Sequence, residues 1–127
     1  RYTLLEQPAA ARAIPACRDR GTGIVAASVF NSGLLATDEP SRDDRYEYGG
    51  VPDAVWMRLT RILEVCRAHD VPLPAAALQF PLREPVVRSV VVGGSRPSHL
   101  RRNAELADLS IPDAFWDALA DAALIPV

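Results

Sequence analysis

The chain has 127 residues, 49% of them hydrophobic and 24% charged, with a formal net charge of -2 at pH 7. That is enough chain for one domain and enough apolar side chain for a packed core. The near-neutral balance argues against a nucleic-acid binder, which needs a basic excess to track phosphates, and no apolar run reaches the ~18 residues of a membrane span.

Tyr2 to Glu6, YTLLE, is a short apolar run that predicts a strand. Pro8 opens a helical stretch in which Ala10, Ile14 and Cys17 share one face and Gly21 is a natural stop. Pro15 conflicts with a continuous helix, so the helix either kinks there or begins later. Gly23 to Phe30, GIVAASVF, is nearly continuous apolar sequence and predicts a strand covered on both faces, as in a parallel sheet. Asn31 to Gly50 is polar, glycine-containing and too long for a plain connection; it predicts a functional loop or lid, with Tyr46 and Tyr48 on the lid surface or, as the alternative, lining a substrate pocket.

Asp53 to Ala68 carries Val55, Leu59, Ile62, Leu63 and Cys66 on one stripe, which predicts an amphipathic helix, with His69 a solvated cap residue. VPLPAAALQFPL then predicts a loop and a short buried helix between prolines, and Val87 to Val92 a second apolar strand of the same kind. A helix from about Pro97 to Leu106 follows. The last helix starts at SIPD, with Ser110 as cap, Asp113 at the third helical position, and Phe115, Trp116 and Leu119 facing the core.

Strands alternating with helices predict an α/β fold with a parallel sheet. Three strands make a thin sheet with exposed edges, so the chain reads as part of a larger α/β body whose edges pair with a missing portion or with further copies of itself. It opens without an initiator Met or a signal peptide and is expected to be a truncated piece. Cys17 and Cys66 have no CxxC partner; they read as two buried, reduced thiols, which points to a cytoplasmic setting.

Three stretches bear on function. GTGIVA, Gly21 to Ala26, matches a dinucleotide fingerprint by letter, but its glycines follow a helix and precede a strand, so a helix stop and tight turn account for it. VVVGGSRPSHLRRN, Val90 to Asn103, runs from a strand into Gly93 and Gly94 and then to a helix entrance at Ser95 and Arg96. Strand C-termini are where α/β folds place ligands, and a helix entrance favours an anion. His99 and Asn103 share a helical face with Ser95 and Arg96, with Arg102 beside it, an arrangement that suits one phosphate and a heteroaromatic ring. The alternative is a tight turn, a capped helix and a solvated basic face, and the residues alone leave both open. SVFNSGLL, Ser28 to Leu35, ends the other strand with hydroxyls and turn residues and can grip the same ligand from a second side.

Together, YTLLEQ, CRDRGTGIVAASVFNSGLL, AALQFPL and VRSVVVGGSRPSHLRRN resemble the C-terminal part of an aldo-keto reductase, closest to the bacterial branch of aldose and pyridoxal dehydrogenases. The resemblance covers nearly the whole of residues 1–127. It implies a (β/α)8 TIM barrel, of which this chain holds about strands six to eight with their helices, and a nicotinamide cofactor, NADP or NAD. Ser28, Phe30, Asn31, Ser32 and Gly33 then wrap the pyrophosphate. Gly93 and Gly94 make room, Gly94, Ser95 and Arg96 lie near the ribose or 2′-phosphate, His99 lies beside the ring, and Arg102 and Asn103 meet the adenine edge.

Two features depart from the pattern. Ala27 stands where many members place a tyrosine against the nicotinamide, and Gly93-Gly94 where many NADP-specific members carry Lys-Ser. The family's catalytic Asp, Tyr, Lys and His come from the first four strands, so the parent protein is expected to move a hydride between the nicotinamide and a sugar or aldehyde carbonyl or hemiacetal carbon, and this piece alone to be inactive. The second reading is a non-catalytic nucleotide-binding or subunit-interaction module of the same type.

Overall fold

The structure is a computed structural model and describes residues 1–126. Tyr2 to Glu6 is a tight turn, not a strand. The Thr3 N–H donates to the Glu6 carbonyl (2.8 Å) and the Glu6 N–H to Thr3 Oγ1 (3.0 Å), so a hydroxyl supplies locally what a sheet would have supplied. The turn tucks both Leu4 and Leu5 into the core.

A single 3₁₀ turn over Pro8–Ala11 precedes α1 (Ala13–Asp19). The helix begins late enough to put Pro15 in its first turn, where the missing N–H had no partner to lose. Of the anticipated face Ile14 is buried, whereas Cys17 is only half-buried. Gly21 takes φ +63° just past the helix end, the left-handed stop its sequence position suggested.

β1 (Ile24–Ala27) pairs in parallel with the later β4 (Val87–Val91), and these two strands form the sheet. Between them, the long loop contains a small antiparallel ladder, β2 (Arg45–Tyr46) with β3 (Gly49–Gly50). Then come α2 (Asp53–Ala68) and α3 (Leu73–Gln79), the latter running into a 3₁₀ turn at Phe80–Arg83. α4 (Pro97–Ala107) and α5 (Asp113–Asp121) follow β4.

α2 buries Leu59, Ile62, Leu63 and Cys66, the stripe its spacing anticipates. His69 caps it from a half-buried position, its ring edge-on to Phe115 at 6.0 Å. α5 buries Phe115, Trp116 and Leu119, each contributing roughly 1.5–3 kcal/mol of transfer free energy. Its N-cap is Pro112 in extended geometry rather than Ser110, which places Asp113 at the first helical position. A proline at 112 disfavours the helical region at Ile111, and Pro112 itself is extended, so the helix starts after it.

The strands are not covered on both faces. Ala26 and Val87 pack toward Leu78, whereas Val25 and Val91 on the opposite face are 60% and 57% exposed. That face and the outer edges of β1 and β4 meet no other strand among the described residues. Among those residues no helix is long and apolar enough to cross a membrane.

Candidate functional site

Because β1 and β4 run parallel, their C-terminal ends lie side by side and their exit loops leave from one edge. Between those loops is a cavity of about 360 Å³. Ser28, Phe30, Asn31, Ser32 and Gly33 wall it on one side, Val91, Val92 and Gly93 on the other, and Arg1, Tyr46 and Glu47 close it.

The first loop is held in a sparsely populated shape. Ser28, Asn31, Ser32 and Gly33 all have positive φ, at 57°, 48°, 62° and 94°. Asn and Gly adopt this region at little cost, but the serines do so less readily, so the surroundings must hold the loop. Turn bonds do part of this, from Asn31 N to Ser28 O and from Gly33 N to Phe30 O, both 3.0 Å. Hydroxyls and turn backbone at the mouth of a cavity offer donors to an anionic or polyhydroxylated ligand.

Side-chain polar contacts do the rest. Asn31 is 4% exposed, and its Nδ2 donates to Glu6 Oε2 at 2.8 Å. Arg1 Nη1 donates to the same oxygen (2.7 Å) and to the Tyr46 hydroxyl (3.2 Å), while Arg1 Nη2 pairs with Glu47. The Glu47 N–H donates to Ser32 Oγ at 3.1 Å. Burial pushes the Glu6 carboxyl up, but its bonds with Tyr46, Arg1 and Asn31 outweigh this and hold it below the ordinary carboxylate value. Burial, and then the Glu6 interaction, push the Tyr46 hydroxyl up to about 12.

The residues anticipated around the second glycine pair divide into two groups. Gly93 opens on the cavity: a Cβ built there meets nothing within 4 Å. Gly94 faces its own helix instead, where a Cβ would lie 3.0 Å from Leu100 Cδ2 and 3.2 Å from His99 Cβ. Ser95 and Arg96 lie exposed at the start of α4, whose N-cap, Arg96, makes no side-chain capping bond. Ser95 Oγ and His99 Nδ1 are 3.5 Å apart, consistent with one face. Arg102 reaches Asp38 at 3.7 Å. Asn103 is half-buried on the wall of a separate, largely apolar cavity of about 470 Å³ with Leu82, Val92 and Leu100.

Sequence reasoning missed Glu6 and Arg1 and favoured the lid surface over a pocket wall for Tyr46. Tyr46 is 7% exposed and lines the cavity, whereas Tyr48 is fully exposed as expected. Nothing local marks Glu6, because its partner Asn31 is 25 residues away. Cys66 is buried, and burial pushes its thiol up to about 12; both cysteines are free.

Residues 1–123 match the model of the Aldo/keto reductase family. The chain is 68% identical over 126 residues to a D-threo-aldose 1-dehydrogenase of Pseudomonas sp, covering 99% of this chain and 38% of that protein. It is 38% identical over 125 residues to the pyridoxal 4-dehydrogenase of Microbacterium luteolum, covering 98% of this chain and 36% of that protein. Among solved structures, the aldo-keto reductase AKR11C1 from Bacillus halodurans in its holo form superposes with a TM-score of 0.74 at 20% identity, over 95% of this chain and 40% of that one. The chain thus spans less than two-fifths of the two curated relatives' length.

Proposed function

Since the chain belongs to the aldo/keto reductase family, we propose that the protein carrying it is an NAD(P)-dependent oxidoreductase acting on a sugar or aldehyde carbonyl or hemiacetal carbon. In this reading residues 1–127 are the C-terminal part of a (β/α)8 barrel. Because Tyr2 to Glu6 is a turn, they contribute two of its strands rather than three. The observation that carries the proposal is the cavity at the C-terminal ends of β1 and β4, formed by the two loops singled out for a dinucleotide.

The residues present fit that cofactor. Gly93 leaves space for a ligand beside the backbone, and α4 begins without a side-chain cap on its free N–H groups. Ser28, Phe30, Asn31, Ser32 and Gly33 hold the pyrophosphate. Ser95 and Arg96 meet the ribose or a 2′-phosphate, with His99 beside the ring and Arg102 and Asn103 toward the adenine. Gly94 acts indirectly, by letting the first turn of α4 sit close to the strand end. When bound, the nicotinamide gives or takes the hydride. This chain's residues orient the cofactor, and proton transfer belongs to the catalytic set carried by earlier strands.

Titration of the complete polypeptide with NADPH and NADH, followed by nicotinamide fluorescence, tests the reading. Arg96→Ala and Asn103→Ala are each expected to weaken binding about tenfold, the effect of one good polar contact, without lowering stability. Unchanged affinity in both would remove α4 from the site. Binding without turnover of any aldose or aldehyde would favour the non-catalytic reading. Residues 1–127 alone are expected to give no turnover.

A further inference from the structure

The strained loop at the cavity hangs on a carboxylate outside the cofactor segments. Asn31 Nδ2 is bonded to Glu6 Oε2, and Asn31 Oδ1 is buried without a partner. A carboxylate only accepts, so Glu6 fixes which end of the Asn31 amide faces it, and that bond is the one side-chain tie Asn31 has among the described residues. From the same carboxylate the network continues through Arg1 to Tyr46 and Glu47 and returns to the loop through Ser32. The β2–β3 hairpin and the Ser28–Gly33 loop are therefore tied to one anion.

Resting on the cofactor site proposed above, we propose that Glu6 is a positioning residue: it holds Asn31, and with it the Ser28–Gly33 loop and the hairpin, in the geometry that receives the cofactor. Loss of the tie leaves a buried amide with no partner, which the loop relieves by leaving its strained conformation. The effect appears in cofactor affinity, because Glu6 acts on the loop and not on the reacting atoms.

A pair of substitutions that exchanges the amide and the carboxylate, made in the complete polypeptide, tests this. Asn31→Asp places two carboxylates against each other, in a left-handed position that Asp tolerates. It is expected to raise cofactor KM about tenfold, as expected for losing a hydrogen bond to a charged group, with a smaller change in kcat. Glu6→Gln alone keeps an acceptor but loses the ion pair to Arg1, and is expected to raise KM about threefold. The double variant lets Gln at position 6 donate to Asp at position 31, and is expected to recover part of the tenfold loss, the remainder reflecting the added negative charge at position 31 beside the pyrophosphate. Amide hydrogen exchange at residues 28–36 and 45–50, measured without cofactor, is expected to accelerate in Asn31→Asp and to return toward wild type in the double variant. If exchange is unchanged in Asn31→Asp, or the double variant is no better than that single variant in exchange and KM, Glu6 does not position the loop. If wild type binds no nicotinamide dinucleotide, the functional reading falls, while the exchange pattern still decides the role of Glu6.

Discussion

Two adjacent glycines make opposite demands, and substituting each separates them. Neither Gly93 nor Gly94 has a left-handed backbone, so alanine is conformationally allowed at both. At Gly93 a methyl meets nothing within 4 Å. The free protein therefore gains the usual benefit of a stiffer unfolded chain, about 0.4–1 kcal/mol. At Gly94 the same benefit is opposed by contacts of 3.0 Å to Leu100 Cδ2 and 3.2 Å to His99 Cβ. Leu100 is 52% exposed and can rotate away, but His99 Cβ is attached to the first turn of α4 and moves only with the helix. Overpacking of this kind costs about 1–3 kcal/mol, so Gly94→Ala is expected to lose about 1 kcal/mol net. Urea denaturation should then separate the two variants by about 1–2 kcal/mol. Cofactor titration should rank them the other way. If the dinucleotide occupies the space beside Gly93, a methyl there costs about 1–3 kcal/mol, a loss of roughly 5- to 150-fold in affinity. Gly94→Ala should lose less, by tilting the start of α4. Full cofactor affinity in a folded Gly93→Ala protein would refute the claim that ligand approaches the backbone there.

Three further outcomes follow from burial and charge. Cys66, with its thiol pushed up to about 12, should stay unlabelled by a maleimide at pH 7.5 in the native chain and react only after denaturation. Phe115→Ala removes a fully buried ring held edge-on by Trp116 (4.9 Å) and His69 (6.0 Å), and should destabilise the fold by about 3–5 kcal/mol in urea melts. The Glu6 carboxyl is held below its ordinary 4.5, so its contribution is complete at neutral pH and is lost as pH falls from about 4.5 through its folded value. The groups that face it are Arg1, Tyr46 and Asn31, with Arg58 acting from α2. Melting of wild type and Glu6→Gln should therefore converge as pH drops from 7 to 3, and parallel curves would show that Glu6 gains nothing from folding.

What the sequence made legible was what local spacing encodes. The stripe of α2 repeats every three or four residues and survives any tertiary context, as does the Gly21 stop. The cavity was legible as two polar loops at the ends of two apolar strands. Tyr2 to Glu6 was misread because Thr3 Oγ1 closes a turn that apolar character alone does not reveal. Covered strand faces were expected for β1 and β4 because an all-apolar run looks the same whether or not its second face has a neighbour. Gly93 and Gly94 are identical as letters, and only the position of Leu100 and His99 tells ligand room from helix packing. Glu6 carried no signal, since a carboxylate that organises a loop from 25 residues away resembles any surface glutamate.

On the proposed barrel reading, the exposed apolar side chains mark where further strands would join the sheet. The outer edge of β4 opens on the apolar cavity walled by Leu82 and Leu100, which are 47% and 52% exposed. The outer side of β1 opens on another, of about 410 Å³, lined by Ile14, Cys17 and Val25. A parallel strand with free N–H and C=O groups beside apolar side chains is a template for pairing, and barrel closure removes both edges at once. α4 points the same way: it has no buried residue although it carries Leu100 and Leu106. If the barrel reading holds, residues 1–127 alone should associate as concentration rises, seen as a growing sedimentation coefficient, whereas a longer polypeptide carrying the other barrel strands should show no such growth over the same range. A chain that stays monomeric at high concentration would mean that these edges are protected without further strands, and would count against the barrel reading.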